Sequence, residues 1–394
     1  MDKKIVLVSG CRTAVGNFMG GLSTVNQIDL GAIVVKEAVK RAGIEPAKVD
    51  EVIVGNVGQI AESGFIARAV SLKAGLPKET TSYSVNRQCG SGMQAIVDGM
   101  MEILTGNSEI VVACGTENMS QAPYYIKGAR DGLRMGHKQL EDGLIDLLTW
   151  PLGPYHNGTT GEAVAEKYHV SREEQDAFAV QSHQRVAAAM NAGKFKEEIV
   201  PVEVKLRKET ILVDTDEHVR PNLTIEKLAK LRPAFKQGGT VTAGNSSGID
   251  DGAAAVVLMT AEKAKELGCT PLMELKGYAV AGFEAELMGY TPYYATKKVM
   301  KKLDMTIDDF DLIELNEAFA SQSFAVIRDL KMDPAKVNVN GGAIAMGHPV
   351  GATGCILPVK MMYEMKRTGA KTGLVTMCIG GGQAISAVFT NLQA

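Results

Sequence analysis

Apolar residues recur along this chain in two rhythms. Unbroken runs at residues 4–9 and 51–56 read as strands buried on both faces. Between them, residues 28–42 space apolar positions three and four apart, which predicts a helix stopped at Gly43 and followed by Pro46. Strand, helix, strand makes a βαβ unit. A strand at 82–86 follows, then a helix of small apolar residues from Cys89 to Leu104 closed by Gly106, then a strand at 109–114.

The same order returns about 262 residues later. Lys40 to Ile44 and Val49 to Ile53 align with Lys301 to Met305 and Phe310 to Glu314. Ser91-Gly92-Met93 aligns with Thr353-Gly354-Cys355, and Val111-Val112-Ala113 with Leu374-Val375-Thr376. A period this long means two duplicated half-domains, not a solenoid. Residues 119–248 match nothing in the second half. They read as an insertion from the C-terminal edge of the first half, the edge where open α/β sheets bind ligands, so a substrate-binding lid is expected. The expected division is 1–118 plus 249–270, 119–248, and 271–394.

Composition narrows the function. Net charge is −3 over 394 residues with no basic stretch, which gives no footing for nucleic acid. The longest apolar run, near Ala253 to Met259, is too short to span a bilayer. Met1 to Ser9 reads as a strand rather than a targeting peptide, so a cytoplasmic protein is expected. The six cysteines contain no C-x-x-C pair, which weakens zinc and dithiol readings.

Chemistry concentrates where glycine does. Gly341 to Gly354 surrounds one His, His348; Cys378-Ile379-Gly380-Gly381-Gly382 surrounds one Cys. Asn86-Arg87-Gln88-Cys89-Gly90-Ser91-Gly92 puts a second Cys between a strand and a helix, where the helix N-terminus favours a thiolate. The alternative is a buried, inert Cys capping a core helix. The duplication makes Cys89 and the His348 loop topological counterparts and puts Cys378 at a matching strand end. One Cys as nucleophile, one His as base and a second Cys nearby form a coherent set for acyl transfer.

Asn86 to Ala95, Asn316-Glu317-Ala318-Phe319-Ala320, Gly347 to Gly354 and Cys378 to Gly382 resemble the four signatures of thiolases, and among them most closely the acetyl-CoA C-acetyltransferases. Thr242 to Gly248 and Lys230 to Phe235 resemble that family's coenzyme A loop. The resemblance covers essentially the whole chain. It implies a five-layer αβαβα arrangement of two βαβαβαββ halves with an inserted loop domain, and a homotetramer. It implies that Cys89 takes the acyl group, that His348 activates it, and that Cys378 removes a proton from the second acetyl-CoA. Asn316 would hold a water at the enolate oxygen, and Gly380 and Cys89 N–H groups would take the tetrahedral oxyanion. Ser247 would bond the pantetheine and Arg220 would lie by the adenine. His156, Asn157, Leu148, Phe235, Ala243, Met288, Ala318 and Phe319 would line the channel. No metal or prosthetic group is implied, coenzyme A being substrate.

The chain departs from the family pattern at four places. Asn157 replaces a Met beside the acyl group, which puts acyl preference in question and admits a broader 3-ketoacyl range. In the stretch Met288 to Tyr294, which holds Tyr290, Tyr293 and Tyr294, two extra tyrosines are expected to narrow or re-aim the pocket wall. Lys227 is expected to add a phosphate contact. Gln383-Ala384 is expected to change little. A synthase of the same superfamily would lack Cys378, and a non-catalytic acyl-CoA carrier would lack Cys89, Cys378 or His348; all three are present.

Overall fold

The computed structural model describes residues 3–59, 61–153 and 155–393, so Met1, Asp2, Ile60, Pro154 and Ala394 of the stretches above lie outside the described residues. The first half runs β1 (Ile5–Thr13), α1 (Gln27–Ala42), β2 (Glu51–Gly55), α2 (Ile66–Lys73), β3 (Thr81–Val85), α3 (Ser91–Thr105) and β4 (Ile110–Asn118). Local chemistry sets these bounds. Asn26 accepts a hydrogen bond from Ile28 N at the start of α1, and Gly43, at φ +69°, ends it.

The chain then leaves the sheet, forming α4 (Gly158–Lys167) and α5 (Arg172–Asn191) among shorter pieces. A capping box between Ser171 and Glu174 starts α5. The chain returns as β5 (Asp250–Thr260), whose Asp251 lies opposite Asn118. The excursion therefore begins and ends at one strand edge.

The second half runs β6 (Met273–Gly282), α6 (Pro292–Leu303), β7 (Leu312–Leu315), α7 (Ala320–Asp329), α8 (Thr353–Thr368), β8 (Thr372–Ile379) and β9 (Gln383–Asn391). Strand order is β1-β5-β4-β2-β3 in the first half and β6-β9-β8-β7 in the second. The two sheets touch through a short antiparallel pairing, Val6 with Glu274 and Leu7 with Met273. The expected halves differ in one respect. The counterpart of β3 is reduced to a single parallel bridge between Ile313 and Val337.

Three apolar cores separate the layers. One packs α1 and α2 on the outer face of the first sheet, and another packs α6 and α7 on the outer face of the second. The third fills the middle, where α3 and α8 lie between the sheets. Thus helices, sheet, helices, sheet, helices form five layers. The middle helices are buried along most of their length, and every residue from Thr353 to Met365 is enclosed.

The middle layer depends on two glycines. A Cβ on Gly92 of α3 would stand 2.7 Å from the backbone N of Cys355, and one on Gly354 of α8 would collide with the backbone N of Met93. The two helices thus cross with their backbones in contact, at positions the duplication makes equivalent. Replacing Gly354 with Ala is expected to cost about 3 kcal/mol in urea unfolding, since neither backbone can yield. The same change at Gly369, which has φ +73° but open space around it, should cost about 1 kcal/mol. Equal losses at the two positions would contradict a backbone crossing.

Candidate active site

Both sheets end toward the same crevice, and four segments supply its groups. Cys89 stands on the elbow between β3 and α3. Gln88 before it holds φ +46°, a left-handed conformation that a residue with a side chain keeps only when its surroundings enforce it. The enforcement is visible. The Asn86 carboxamide oxygen accepts from Gln88 N at 3.0 Å, while the Ser91 hydroxyl accepts from Arg87 N at 2.9 Å and donates to Gln88 O at 2.6 Å.

Asn316 follows β7 by one residue, and its backbone N donates to Thr376 O at 3.0 Å. Because β7 pairs in parallel with β8, Leu315 opposite Thr376, this places Asn316 alongside the strand end that carries Cys378. The Asn316 Nδ2 lies 3.4 Å from His348 Nε2. Cys378 is fully enclosed, with Gln322 Oε1 4.0 Å from its sulfur.

Buried charges fasten the His348 loop. Asp250 accepts from His348 N at 2.8 Å, Glu117 from Gly351 N at 3.0 Å and Glu317 from Ile344 N at 3.2 Å. Lys360 donates to Gly341 O at 2.8 Å and pairs with Glu314 at 2.8 Å. Gly347, at φ +106°, lets the chain turn against the Asp250 carboxylate, where a Cβ would lie 2.5 Å from Asp250 Cγ. A buried charge left without these partners would be costly, so the loop has one favourable placement.

A cavity of about 580 Å³ opens onto Cys89 and His348. The expected channel residues His156, Asn157, Leu148, Arg220, Phe235, Ala243, Ser247, Met288, Ala318 and Phe319 all form its wall. Phe235 stacks on His156 with ring centres 5.2 Å apart and meets Phe319 edge-on at 6.2 Å. The Glu162 carboxylate accepts from Thr240 N and Val241 N at 2.8 Å each, fixing the loop that carries Ala243 and Ser247.

Family models agree along the chain: "Thiolase, N-terminal domain" matches residues 5–262 and "Thiolase, C-terminal domain" matches residues 269–391. The chain belongs to the thiolase family. It is 49% identical to an acetyl-CoA acetyltransferase of Chromobacterium violaceum, covering 97% of this chain and 98% of that one. It is 47% identical to a probable acetyl-CoA acyltransferase of Staphylococcus aureus, covering 99% and 100%. The crystal structure of the Bacillus anthracis acetyl-CoA acetyltransferase superposes with TM-score 0.97 at 43% identity, covering 99% of each chain. Human mitochondrial 3-ketoacyl-CoA thiolase in complex with CoA superposes with TM-score 0.95 at 42% identity, covering 99% and 98%.

Several expectations about this thiolase need correction. The helix after Cys89 begins at Ser91 with Gly90 as its cap, so Cys89 stands before the helix, on the strained elbow. Nor is its thiolate favoured at rest. Burial pushes the thiol up to about 11, although the N–H groups of Gly380 and of Cys89 itself pull it back. Enclosure outweighs the helix terminus. Burial also holds the Cys378 thiol far above its ordinary range, reinforced by Cys89 nearby. Cys378, Asn316 and Gly380 do not form the cavity wall. They lie behind Cys89 and His348.

The tyrosines do not narrow the pocket. Tyr290 stacks on Tyr168 at 3.8 Å and on Tyr293 at 5.1 Å, and Tyr294 meets Phe283 at 4.6 Å. They tie the end of α4 to α6, and only Met288 of that stretch reaches the cavity. Lys227 donates to Asn222 O at 2.7 Å at the surface and is not part of the cavity wall. Conversely, Asn17, Phe18 and His218 line the cavity without having been singled out. The His218 ring Nδ1 lies 2.7 Å from Asn17 Oδ1, so the loop after β1 is tied to the insertion. No sequence pattern marks these residues, Asn17 ending a two-residue strand, Phe18 lying in a turn and His218 in a loop.

Among the described residues no group of three or more His, Cys, Asp or Glu is placed to hold a metal ion, and no helix is long and apolar enough to cross a membrane. All six cysteines are free.

Burial lowers the His348 imidazolium to about 4. The neutral, proton-accepting ring therefore persists well below its ordinary range, because enclosure disfavours the charged form. The kcat/KM for a thioester substrate should stay level from about pH 7 down to about pH 5. A loss with a midpoint near 6.5, the value of a solvated imidazole, would contradict this environment.

Proposed function

We propose that the chain is an acyl-CoA C-acyltransferase that joins two acetyl-CoA into acetoacetyl-CoA and CoA, or cleaves 3-ketoacyl-CoA with CoA, through an acyl-cysteine. One observation carries the reading. Two unpaired thiols are neighbours, Cys89 on the wall of a largely apolar cavity and Cys378 enclosed behind it, with His348 also on the wall and Asn316 beside its ring. The CoA complex of the human relative supports placing the coenzyme A arm in this cavity, with Arg220 and Ser247 along its wall.

The residues allow a proton-balanced cycle. His348 takes the Cys89 proton as sulfur attacks the thioester, and the departing CoA thiolate takes the Cys378 proton. Cys378, now a thiolate, removes a proton from the methyl group of the second acetyl-CoA. The carbanion attacks the acyl carbon, Cys89 sulfur leaves, and the imidazolium returns its proton. Neutral thiols at rest suit this order, since each becomes charged only when a partner receives its proton. The developing oxyanions face the N–H groups of Cys89 and Gly380 and the His348–Asn316 pair.

Asn157 supports an acyl range wider than acetyl. Its carboxamide forms no hydrogen bond among the described residues, and its Nδ2 would lie 3.7 Å from a Cβ on Gly380, beside the acyl position. The tetramer expected from the family finds support in the excursion, where Leu133, Met135 and Leu140 are 57%, 104% and 65% exposed.

Adding CoA to acetoacetyl-CoA should consume its enolate absorbance with the wild-type protein, and Cys89→Ala should lower kcat by roughly 10⁴-fold or more. No consumption, or full activity in Cys89→Ala, would overturn the reading. The kcat/KM for 3-oxohexanoyl-CoA and 2-methylacetoacetyl-CoA should lie within about tenfold of that for acetoacetyl-CoA, the scale of one or two methylenes in a pocket. Activity confined to acetoacetyl-CoA would exclude the wider acyl range.

A further inference from the structure

His348 offers its second ring nitrogen to a residue that the catalytic reading does not use. Its Nδ1 lies 2.6 Å from the hydroxyl of Thr353, the first residue of α8, and both side chains are buried. A hydroxyl has a single hydrogen to give. Thr353 gives it to the carbonyl of Pro349, four residues back, at 3.0 Å, a bond that Thr commonly makes within a helical turn. With that hydrogen committed, the oxygen meets Nδ1 with lone pairs and calls for a proton on the nitrogen.

The other side of the ring agrees. The Asn316 Nδ2 lies 3.4 Å from Nε2, a contact that a lone pair on Nε2 would satisfy. The Thr353 contacts on α8 specify the tautomer, and the Asn316 contact after β7 is compatible with it.

We propose that Thr353 is a positioning residue that fixes His348 as the Nδ1–H tautomer, so that Nε2 accepts the Cys89 proton and afterwards presents it to the reacting oxygen. This inference rests on the acyltransferase reading. When Nε2 gains the proton, Nδ1–H still finds the Thr353 oxygen, so the ring keeps its orientation through both protonation states. The carboxylate of a Ser-His-Asp triad orients its histidine in the same manner, here with a neutral hydroxyl in an enclosed site. A neutral partner leaves the imidazolium less stabilised and so a readier proton donor on the return step. The arrangement also explains why the residue five positions after His348 opens a helix. The rigid first turn of α8, pressed against α3, holds the hydroxyl in place.

Two measurements test this. In protein labelled with ¹⁵N-histidine, the His348 signals, assigned by their loss in His348→Gln, should show a protonated Nδ1 and an unprotonated Nε2. The reverse pattern would overturn the proposal, and this readout needs no substrate, so it stands apart from any failure of the proposed reaction. In kinetics, Thr353→Val keeps the shape and removes the acceptor. Its kcat should fall roughly 30- to 100-fold while KM for acetoacetyl-CoA changes less than about threefold, and Thr353→Ser should return kcat to within about fivefold of wild type. Its His348 spectrum should shift toward the Nε2–H form. Wild-type kcat in Thr353→Val, or equal losses in the Val and Ser variants, would overturn the assignment. Should Thr353→Val fail to fold, the wild-type spectrum decides alone.

Discussion

The site exists because two buried helices cross with their backbones touching. Gly92 of α3 and Gly354 of α8 leave no Cβ at the crossing, and Gly115 of β4 likewise leaves room for the Gly351 carbonyl, which a Cβ would approach to 2.6 Å. Protein interiors are packed nearly as densely as crystals, so this contact sets the relation of the two halves. It brings the starts of both helices to one place. Cys89 stands ahead of one and His348 ahead of the other, and the parallel pairing of β7 with β8 adds Asn316 and Cys378. Four segments far apart in sequence meet only because this middle layer is rigid.

Burial then decides the chemistry. Carboxylates of Glu117, Asp250 and Glu317, none of them reaching solvent, receive backbone N–H groups from the His348 loop. Glu117 is itself pushed up to about 7 by enclosure, against four hydrogen-bond donors that pull it down. The same enclosure keeps Cys89 and Cys378 as thiols and His348 as neutral imidazole. A permanently charged thiolate–imidazolium pair would suit one attack. Neutral groups that exchange protons in sequence suit a cycle in which two thiols change roles.

Much of this was legible in the sequence because glycine and periodicity record backbone requirements. The duplication at about 262 residues corresponds to matching layers, and Gly43 and Gly106 fell at helix ends. The four segments that carry the family signatures come together in the fold, and each expected channel residue is on the wall. What sequence could not give is depth. Nothing in Cys378-Ile379-Gly380 says that the thiol lies behind the wall and not on it. Tyr290, Tyr293 and Tyr294 depart from the family pattern next to Met288, yet Tyr290 stacks on Tyr168 and the other two pack around it, away from the cavity. The helix start slipped from Cys89 to Ser91 because Gln88 takes a strained φ that no composition rule anticipates. Thr353 and His218 matter only through partners 5 and 201 positions away.

The division of labour between the two thiols is most directly tested by intact mass after brief exposure to acetyl-CoA. Wild type and Cys378→Ala should each gain one acetyl group, while Cys89→Ala should gain none. Active-site acetylation that persists in Cys89→Ala would contradict the assignment of nucleophile and base on which the account rests.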